Sequence, residues 1–328
     1  MREASLPPQW ACLEGKVRYV QQENERTYTS TCPECGGEPH DGEWPNRCAL
    51  FLNPPVLWCR KCHIVRFPDQ FGDTTYHRPD EAQMEKWRAE REAEQEAARR
   101  KAEKALAFLR SERLWVQYYE HAGETGRALW RGCGIPDSWQ DYWQLGYDPA
   151  HTFYVHGDEY TAPTLTIPIA VQGGEVQNIK HRLLQLDAAG EKKLKKYRYQ
   201  IRWPGPAPLY LCDAEKPIAG QVVIAEGEKK IMVVCATLDN PSLVFLGIPG
   251  KDVSDITITP LLTPEVERVT IIADPDARME TWTLCQRIGL NKCRVLMPTG
   301  KIDDCIMQSK MTGRELRWLL NNAIPAKG

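Results

Sequence analysis

The chain has 328 residues, 42% of them hydrophobic, which is enough for two or three domains with cores of their own. Its formal net charge of −2 excludes a whole-protein field as the route to a polyanion, so any nucleic-acid surface has to be a local patch. No apolar run approaches membrane-spanning length, and the opening MREASLPPQW has charges and prolines where a secretory leader needs an apolar stretch. The expectation is a soluble cytoplasmic protein with no membrane partner, in which twelve cysteines serve as metal ligands and buried thiols.

The first element is a pair of C-x-x-C knuckles, Cys32 to Cys35 and Cys59 to Cys62. Each presents two thiolates from a tight turn, and two knuckles complete a tetrahedron around Zn²⁺, the signature of a zinc ribbon; redox dithiols are the competing reading. Gly36 and Gly37 allow the first turn, and Val56 to Trp58 reads as a strand leading into the second. His40, Cys48 and His63 are reserve ligands, more simply read as polar loop residues and a spare thiol. Trp58 and Phe67 could stack on bases; the small core of a ribbon is the plainer assignment for both.

From Arg78 to Arg113 the composition changes to Glu, Ala, Arg and Lys, and Glu81 to Leu106 contains neither glycine nor proline. Strong helix formers with acid–base pairs at i,i+4 predict a long solvated linker helix, continued by an amphipathic one over 105–119. A short helix pair follows, punctuated by Gly132, Gly134 and Pro136. Strands are expected over 165–171 and 176–186 around a Gly173-Gly174 hairpin turn. Beyond them lies a basic stretch, Lys192, Lys193, Lys195, Lys196, Arg198 and Arg202, with Tyr197 and Tyr199 interleaved and Lys180-His181-Arg182 nearby. Lysine runs are usually solvated loops, but the tyrosines make phosphate binding an equal alternative.

After Gln221 short β-branched strands alternate with helices: strands over 222–225, 242–246, 269–273 and 293–297, helices over 228–238 and 280–288. That alternation predicts a parallel, helix-covered sheet, which binds ligands beyond the carboxyl ends of its strands. Three of those ends carry acids: Glu226, Asp274 with Asp276, and Asp303 with Asp304. Helix capping would account for any one of them. Asp274 and Asp276, two apart, project to the same side in extended chain and repel each other unless a cation is present. Hard oxygen donors without soft ones suit Mg²⁺ or Mn²⁺.

This order of Glu-Gly after one strand, Asp-x-Asp after a later one and a Lys-containing acidic turn resembles the toprim domain of topoisomerases, bacterial-type primases and related nucleases. GIPGK (Gly247 to Lys251) is similar to toprim-type domains of phage and mobile-element replication proteins. Upstream, WRGCGI, QLGY, LTIPIAVQGGEVQNIKHRLL and Lys196-Tyr197 resemble segments of bacterial-type primases, which also carry an N-terminal zinc ribbon. The departures are specific. The family pattern has an aspartate four residues after the glutamate, where this sequence has Lys230; an asparagine usual after Lys-Tyr is missing; and both knuckles are all-cysteine.

The resemblance implies a multidomain α/β chain: zinc ribbon 1–74, charged helical linker 75–107, α+β primase-like basic subdomain 108–215, toprim domain 216–328. It implies a DNA primase of a phage or mobile replicon, joining ribonucleoside triphosphates on single-stranded DNA, in the host cytoplasm if phage-encoded. Glu226 would act as general acid/base or position a metal or hydroxyl. Asp274, Asp276 and Asp303 or Asp304 would hold Mg²⁺ or Mn²⁺, and Lys180, Arg182, Lys196 and Tyr197 would hold template and nucleotide phosphates. A G-x-x-x-x-G-K-[ST] motif does not occur in the sequence, so any replicative helicase is expected as a separate partner. The alternatives are a toprim nuclease and a non-catalytic nucleic-acid-binding replication factor.

Overall fold

The computed structural model describes residues 5–25, 27–35, 48–52, 55–59, 62, 64–72, 81–155, 158–184, 197–250, 253–309 and 311–326. His40, His63, Lys251 and the lysines from Lys192 to Lys196 lie outside the described residues. The chain divides into two compact units, Met1–Ala93 and Glu94–Gly328.

In the first unit, strands β1 (Gln21–Asn24), β2 (Thr27–Ser30), β3 (Cys48–Phe51), β4 (Leu57–Cys59) and β5 (Val65–Arg66) pair antiparallel in that order. Strand alternation decides the small core. Leu57 and Cys59 of β4 point inward, which turns Trp58 to the other face. The aromatic filling the core is Trp10, fully buried on the 3₁₀ turn Pro8–Leu13, its indole N–H donating to the Phe51 carbonyl at 2.8 Å. Trp58 and Phe67 are half-buried and outside the apolar cluster, so the core assignment made from sequence passes to Trp10, Leu13, Leu50 and Leu57.

Helix α1 (Glu81–Ser111) carries the expected spaced ion pairs, among them Arg100 with Glu96 at 2.9 Å. It is not solvated throughout: Ala102, Leu106 and Leu109 pack with Ile179 and Ile201. Nor does it run on to residue 119, because Arg113, at φ 49°, breaks it before α2 (Leu114–Glu120). Two short helices, α3 (Gly123–Arg131) and α4 (Asp137–Tyr142), follow.

Strands β6 (Gly146–Val155), β7 (Asp158–Ala170), β8 (Val176–Leu183) and β9 (Tyr197–Tyr199) form a four-stranded antiparallel sheet. Gly146 opens β6 because α2 passes too close for a side chain; a Cβ there would lie 2.5 Å from the Tyr118 carbonyl carbon.

The last sheet has the order β10-β12-β11-β13-β14-β15, from β10 (Tyr210–Leu211), β11 (Gly220–Glu226), β12 (Leu243–Ile248), β13 (Val266–Ile272), β14 (Cys293–Leu296) and β15 (Ile324–Pro325). Its four central strands are parallel as the alternation predicts, but both edges are antiparallel, so the sheet is mixed. Helices α5 (Glu228–Leu238), α6 (Asp255–Ile258), α7 (Arg278–Ile288), α8 (Ile302–Ser309) and α9 (Gly313–Asn321) accompany it. Because β11 is buried on both faces, Val223 and Ala225 join one core with α5, Trp130 and Ile167, while Val222 and Ile224 join another with Leu284 and Ile288 of α7. The first core runs unbroken from the mixed sheet to the antiparallel one, and so fixes the acids of one beside the basic strands of the other.

Candidate active site and metal centre

The two knuckles bring four sulfurs together. Cys32, Cys35, Cys59 and Cys62 have all their Sγ atoms within 4.8 Å of one another. Cys32 and Cys62 stand 3.8 Å apart, Cys35 and Cys59 3.7 Å. Thiolates ~2.3 Å from a tetrahedral zinc are about 3.8 Å apart, so the quartet fits zinc. Burial pushes the Cys35 thiol up to about 12, and the neighbouring cysteines push the same way. A bound dication reverses that balance and holds the thiolates. Cys48, buried on β3 opposite Cys59, is not one of the four.

At the carboxyl end of the mixed sheet, β11 stops at Glu226 and Gly227, at φ 86°, turns the chain directly into α5. The first turn of α5 then spends three consecutive charges on three different elements. Glu228 accepts from Lys180 of β8 at 2.6 Å; Lys229 pairs with Asp303 of α8; Lys230 pairs with Asp274, two residues past β13. Glu226 is half-buried and has no hydrogen-bond or ion-pair partner among the described residues.

The Asp-x-Asp is not extended. The Ala277 N–H donates to the Asp274 carbonyl at 3.0 Å, closing a turn that buries Asp274 and leaves Asp276 exposed, so the two do not share a side as the spacing suggested. Ala277 is the N-cap of α7, which leaves Asp274 to Lys230 rather than to helix capping. Asp303 and Asp304 both start α8, Asp303 buried and Asp304 exposed. The Oδ1 of Asp303 is buried with no hydrogen-bond partner.

Among the described residues the cysteines are the only three or more ligand-type side chains with donor atoms gathered within 4.8 Å. The acids fit a hard divalent cation in kind, being carboxylate oxygens with one buried oxygen unsatisfied. Two of them already hold ammonium groups, which an entering cation has to displace.

Strands β8 and β9 supply the opposite wall. Lys180 is buried, with the rings of Tyr197 and Tyr199 4.9 and 5.2 Å from its Nζ. Burial pushes the Tyr197 phenol up to about 12, against the field of Arg182 and with those of Glu228, Cys133 and Asp303. Arg182 donates to Cys133 Sγ at 2.9 Å, and its Nε is buried without a partner. His181 is fully buried between Thr164 and Gln200 and stacked 3.6 Å from His151; it faces no solvent and takes no phosphate. Lys196, the remaining sequence candidate, lies outside the described residues.

Both tyrosines also line a groove of about 750 Å³ that sequence reading did not anticipate in this form. Its other walls include Phe153, Tyr154, Arg198, Arg202 and Trp203. Tyr154 and Trp203 are 65% and 41% exposed, so their faces are open to a stacking ligand. The Arg198 guanidinium lies 4.7 Å from the centre of the Phe153 ring. The signal for Phe153 and Tyr154 was the short β-prone run Thr152-Phe153-Tyr154-Val155, cut short in the sequence by Pro149 before it and Gly157 after it.

Comparison with solved structures identifies the arrangement. The chain matches the zinc-binding and RNA polymerase domains of the Aquifex aeolicus primase with a TM-score of 0.52 at 15% identity, covering 96% of this chain and 83% of that one. The fold is that of the bacterial primases. A DnaG primase catalytic domain bound to single-stranded DNA matches at TM-score 0.51 and 15% identity, over 69% of this chain and 83% of the other. The RNA polymerase domain of the Mycobacterium tuberculosis primase DnaG, in complex with a double-stranded DNA oligomer with a 6-nucleotide overhang, matches at 0.51 and 14%, over 70% and 82%. No family model and no curated protein matches the sequence, so the primase likeness is carried by the fold. Among the described residues no helix is long and apolar enough to cross a membrane.

Proposed function

We propose that this chain is a DNA primase that joins ribonucleoside triphosphates on single-stranded DNA. The observation that carries the proposal is the convergence of three ion pairs on the helix turn after Glu226, Glu228 with Lys180 of the antiparallel sheet, Lys229 with Asp303 and Lys230 with Asp274, in a primase fold. In the reaction a 3′-hydroxyl oxygen bonds the α-phosphorus of the next nucleotide, the bond to pyrophosphate breaks, and the hydroxyl proton goes to a base. Glu226, at a strand end and without a partner among the described residues, is that base. Arg182, with its unpaired Nε, and Tyr197 orient the triphosphate. Asp274 and Asp303, with the exposed Asp276 and Asp304, would hold Mg²⁺ or Mn²⁺, which when bound would supply neutralisation of phosphate charge. The groove of Tyr154, Trp203, Arg198 and Arg202 takes the template strand, Lys180 supports it from beneath, and Lys196, which lies outside the described residues, keeps its expected role in holding phosphate.

The proposal keeps the toprim assignment for 216–328, the primase-like subdomain for 108–215, the linker for 75–107 and the zinc ribbon for 1–74, with zinc on its four cysteines. It includes a phage or mobile-replicon setting, a cytoplasmic site of action and a separate helicase partner. A second reading, a non-catalytic nucleic-acid-binding factor, is favoured by one observation: lysines already neutralise Asp274 and Asp303. Radiolabelled ribonucleotides incubated with single-stranded templates and Mn²⁺ separate the two. Primase activity yields short RNA products that Asp274→Asn abolishes; DNA binding with no product would favour the second reading, and template cleavage a nuclease.

A further inference from the structure

Two consecutive lysines of α5 hold acids of the proposed site. Lys230 occupies the position at which the pattern has an aspartate, and its ammonium contacts Asp274, an inward acid of the proposed site. Lys229 does the same at Asp303. Only 9% and 5% of those carboxylate side chains are exposed, so each contact is formed largely out of water. A structural pair of this kind satisfies both partners. Here Asp303 Oδ1 stays buried and unsatisfied, which leaves the carboxylate able to accept a further cation or donor.

We propose that Lys229 and Lys230 are tethered resident cations: each holds an acid of the site until a divalent ion arrives, and then transfers its ammonium to the phosphates of the nucleotide. The inference rests on the primase reading of the site. A lysine ammonium is a single charge on a flexible four-carbon stem, so it can leave the carboxylate and stay within reach. A divalent ion carries twice the charge and displaces it, and the released lysine finds its next partner in the triphosphate that accompanies the ion. Each carboxylate passes from one cation to another, and the two positive charges that the divalent ion adds are offset by the negative charges of the triphosphate. The site then binds free divalent ions weakly and binds them together with a polyanion.

Full-length protein, zinc-loaded and without nucleotide, is titrated with Mn²⁺ and free Mn²⁺ followed by electron paramagnetic resonance. Removing one contacting positive charge with Lys230→Met is expected to tighten Mn²⁺ binding roughly tenfold or more, while Lys230→Arg stays near wild type. With Mn²⁺ saturating for both proteins, Lys230→Met should also weaken binding of a ribonucleoside triphosphate severalfold, because the released ammonium is then missing from the phosphates. An unchanged Mn²⁺ constant or an unchanged triphosphate constant for Lys230→Met overturns the proposal. If Lys230→Met does not fold, as judged by circular dichroism, Lys229→Met reads the same exchange at Asp303. Neither constant depends on catalysis: absence of primer synthesis by the wild type would overturn the primase reading alone.

Discussion

Lys180 of the antiparallel sheet donates to Glu228 of the helix that follows β11, Nζ to Oε2 at 2.6 Å, with 8% and 4% of the two side chains exposed. This pair joins the two sheets at the edge of the proposed site, and the rings of Tyr197 and Tyr199 cover the ammonium. Lys180→Met leaves Glu228 buried without its partner, which should cost ~3–5 kcal/mol in urea unfolding. Lys180→Met combined with Glu228→Leu removes both charges and should recover most of that loss. A single mutant as stable as wild type would mean that the pair is solvated and ties nothing together.

His181 gives the stability a pH dependence of definite sign. Burial, first, and the stacked His151, second, press its pKa down to about 3, against the Gln200 contact and Asp148, which raise it. An unfolded histidine titrates near its ordinary value of 6.5. Between these values the unfolded chain binds a proton that the folded chain refuses, so stability is full above pH ~6.5 and falls as pH drops toward ~3. The loss approaches ~1.4 kcal/mol per pH unit for this one proton. Urea midpoints at pH 7 and pH 5 measure it, and His181→Gln should flatten the slope; equal slopes in both proteins would place the acid sensitivity elsewhere.

The parts of this architecture legible in sequence are those whose burial is extreme. The runs that became β11 and β13 are continuous and β-branched because both their faces are covered, and the helix over 228–238 ends where it was expected to. The knuckles were equally plain, since thiolates in pairs have few other uses. What escaped were strands that depend on neighbours: β6, whose run is broken by Asp148-Pro149 and His151, and the two-residue edges β10 and β15, which exist only as partners of β12 and β14. The lysine pairs escaped for a related reason. Glu228, Lys229 and Lys230 look like a solvated first helical turn, and only the packing of α8 and β8 around α5 turns them to separate carboxylate and ammonium partners. The sequence leads one to expect a divalent ion beside Asp274, and the ammonium of Lys230 that touches it is a second cation the pattern does not announce.

The zinc assignment separates ligands from a bystander. Protein purified without chelator should carry one zinc per chain by atomic emission, and Cys59→Ser should lose it. Cys48→Ser should keep the metal, because that thiol is buried beside the quartet but is not among its four members. Its cost is that of placing a hydroxyl in an apolar site, on the order of 1–3 kcal/mol. Zinc loss from Cys48→Ser as complete as from Cys59→Ser would put Cys48 in the coordination sphere.

The last expectation concerns the groove floored by β8 and β9. If single-stranded DNA lies there, its bases stack on Trp203 and Tyr154 and its phosphates meet Arg202. The two kinds of contact respond differently to salt, which is what makes them separable. Trp203→Ala removes a stacking face and should weaken binding of an oligonucleotide by about 1–3 kcal/mol at every salt concentration. Arg202→Glu removes a phosphate contact, and should weaken binding most at low salt while lowering the slope of log K against log [salt] by about 1. Arg99 and Arg100 of α1 are held by Glu96 and Glu103 on their own helix, so reversing either should change the slope little. Fluorescence anisotropy of a labelled oligonucleotide across a salt series reads all four variants. If the Arg99 and Arg100 reversals lower the slope as much as Arg202→Glu does, the strand follows the charged helix and the groove serves some other ligand.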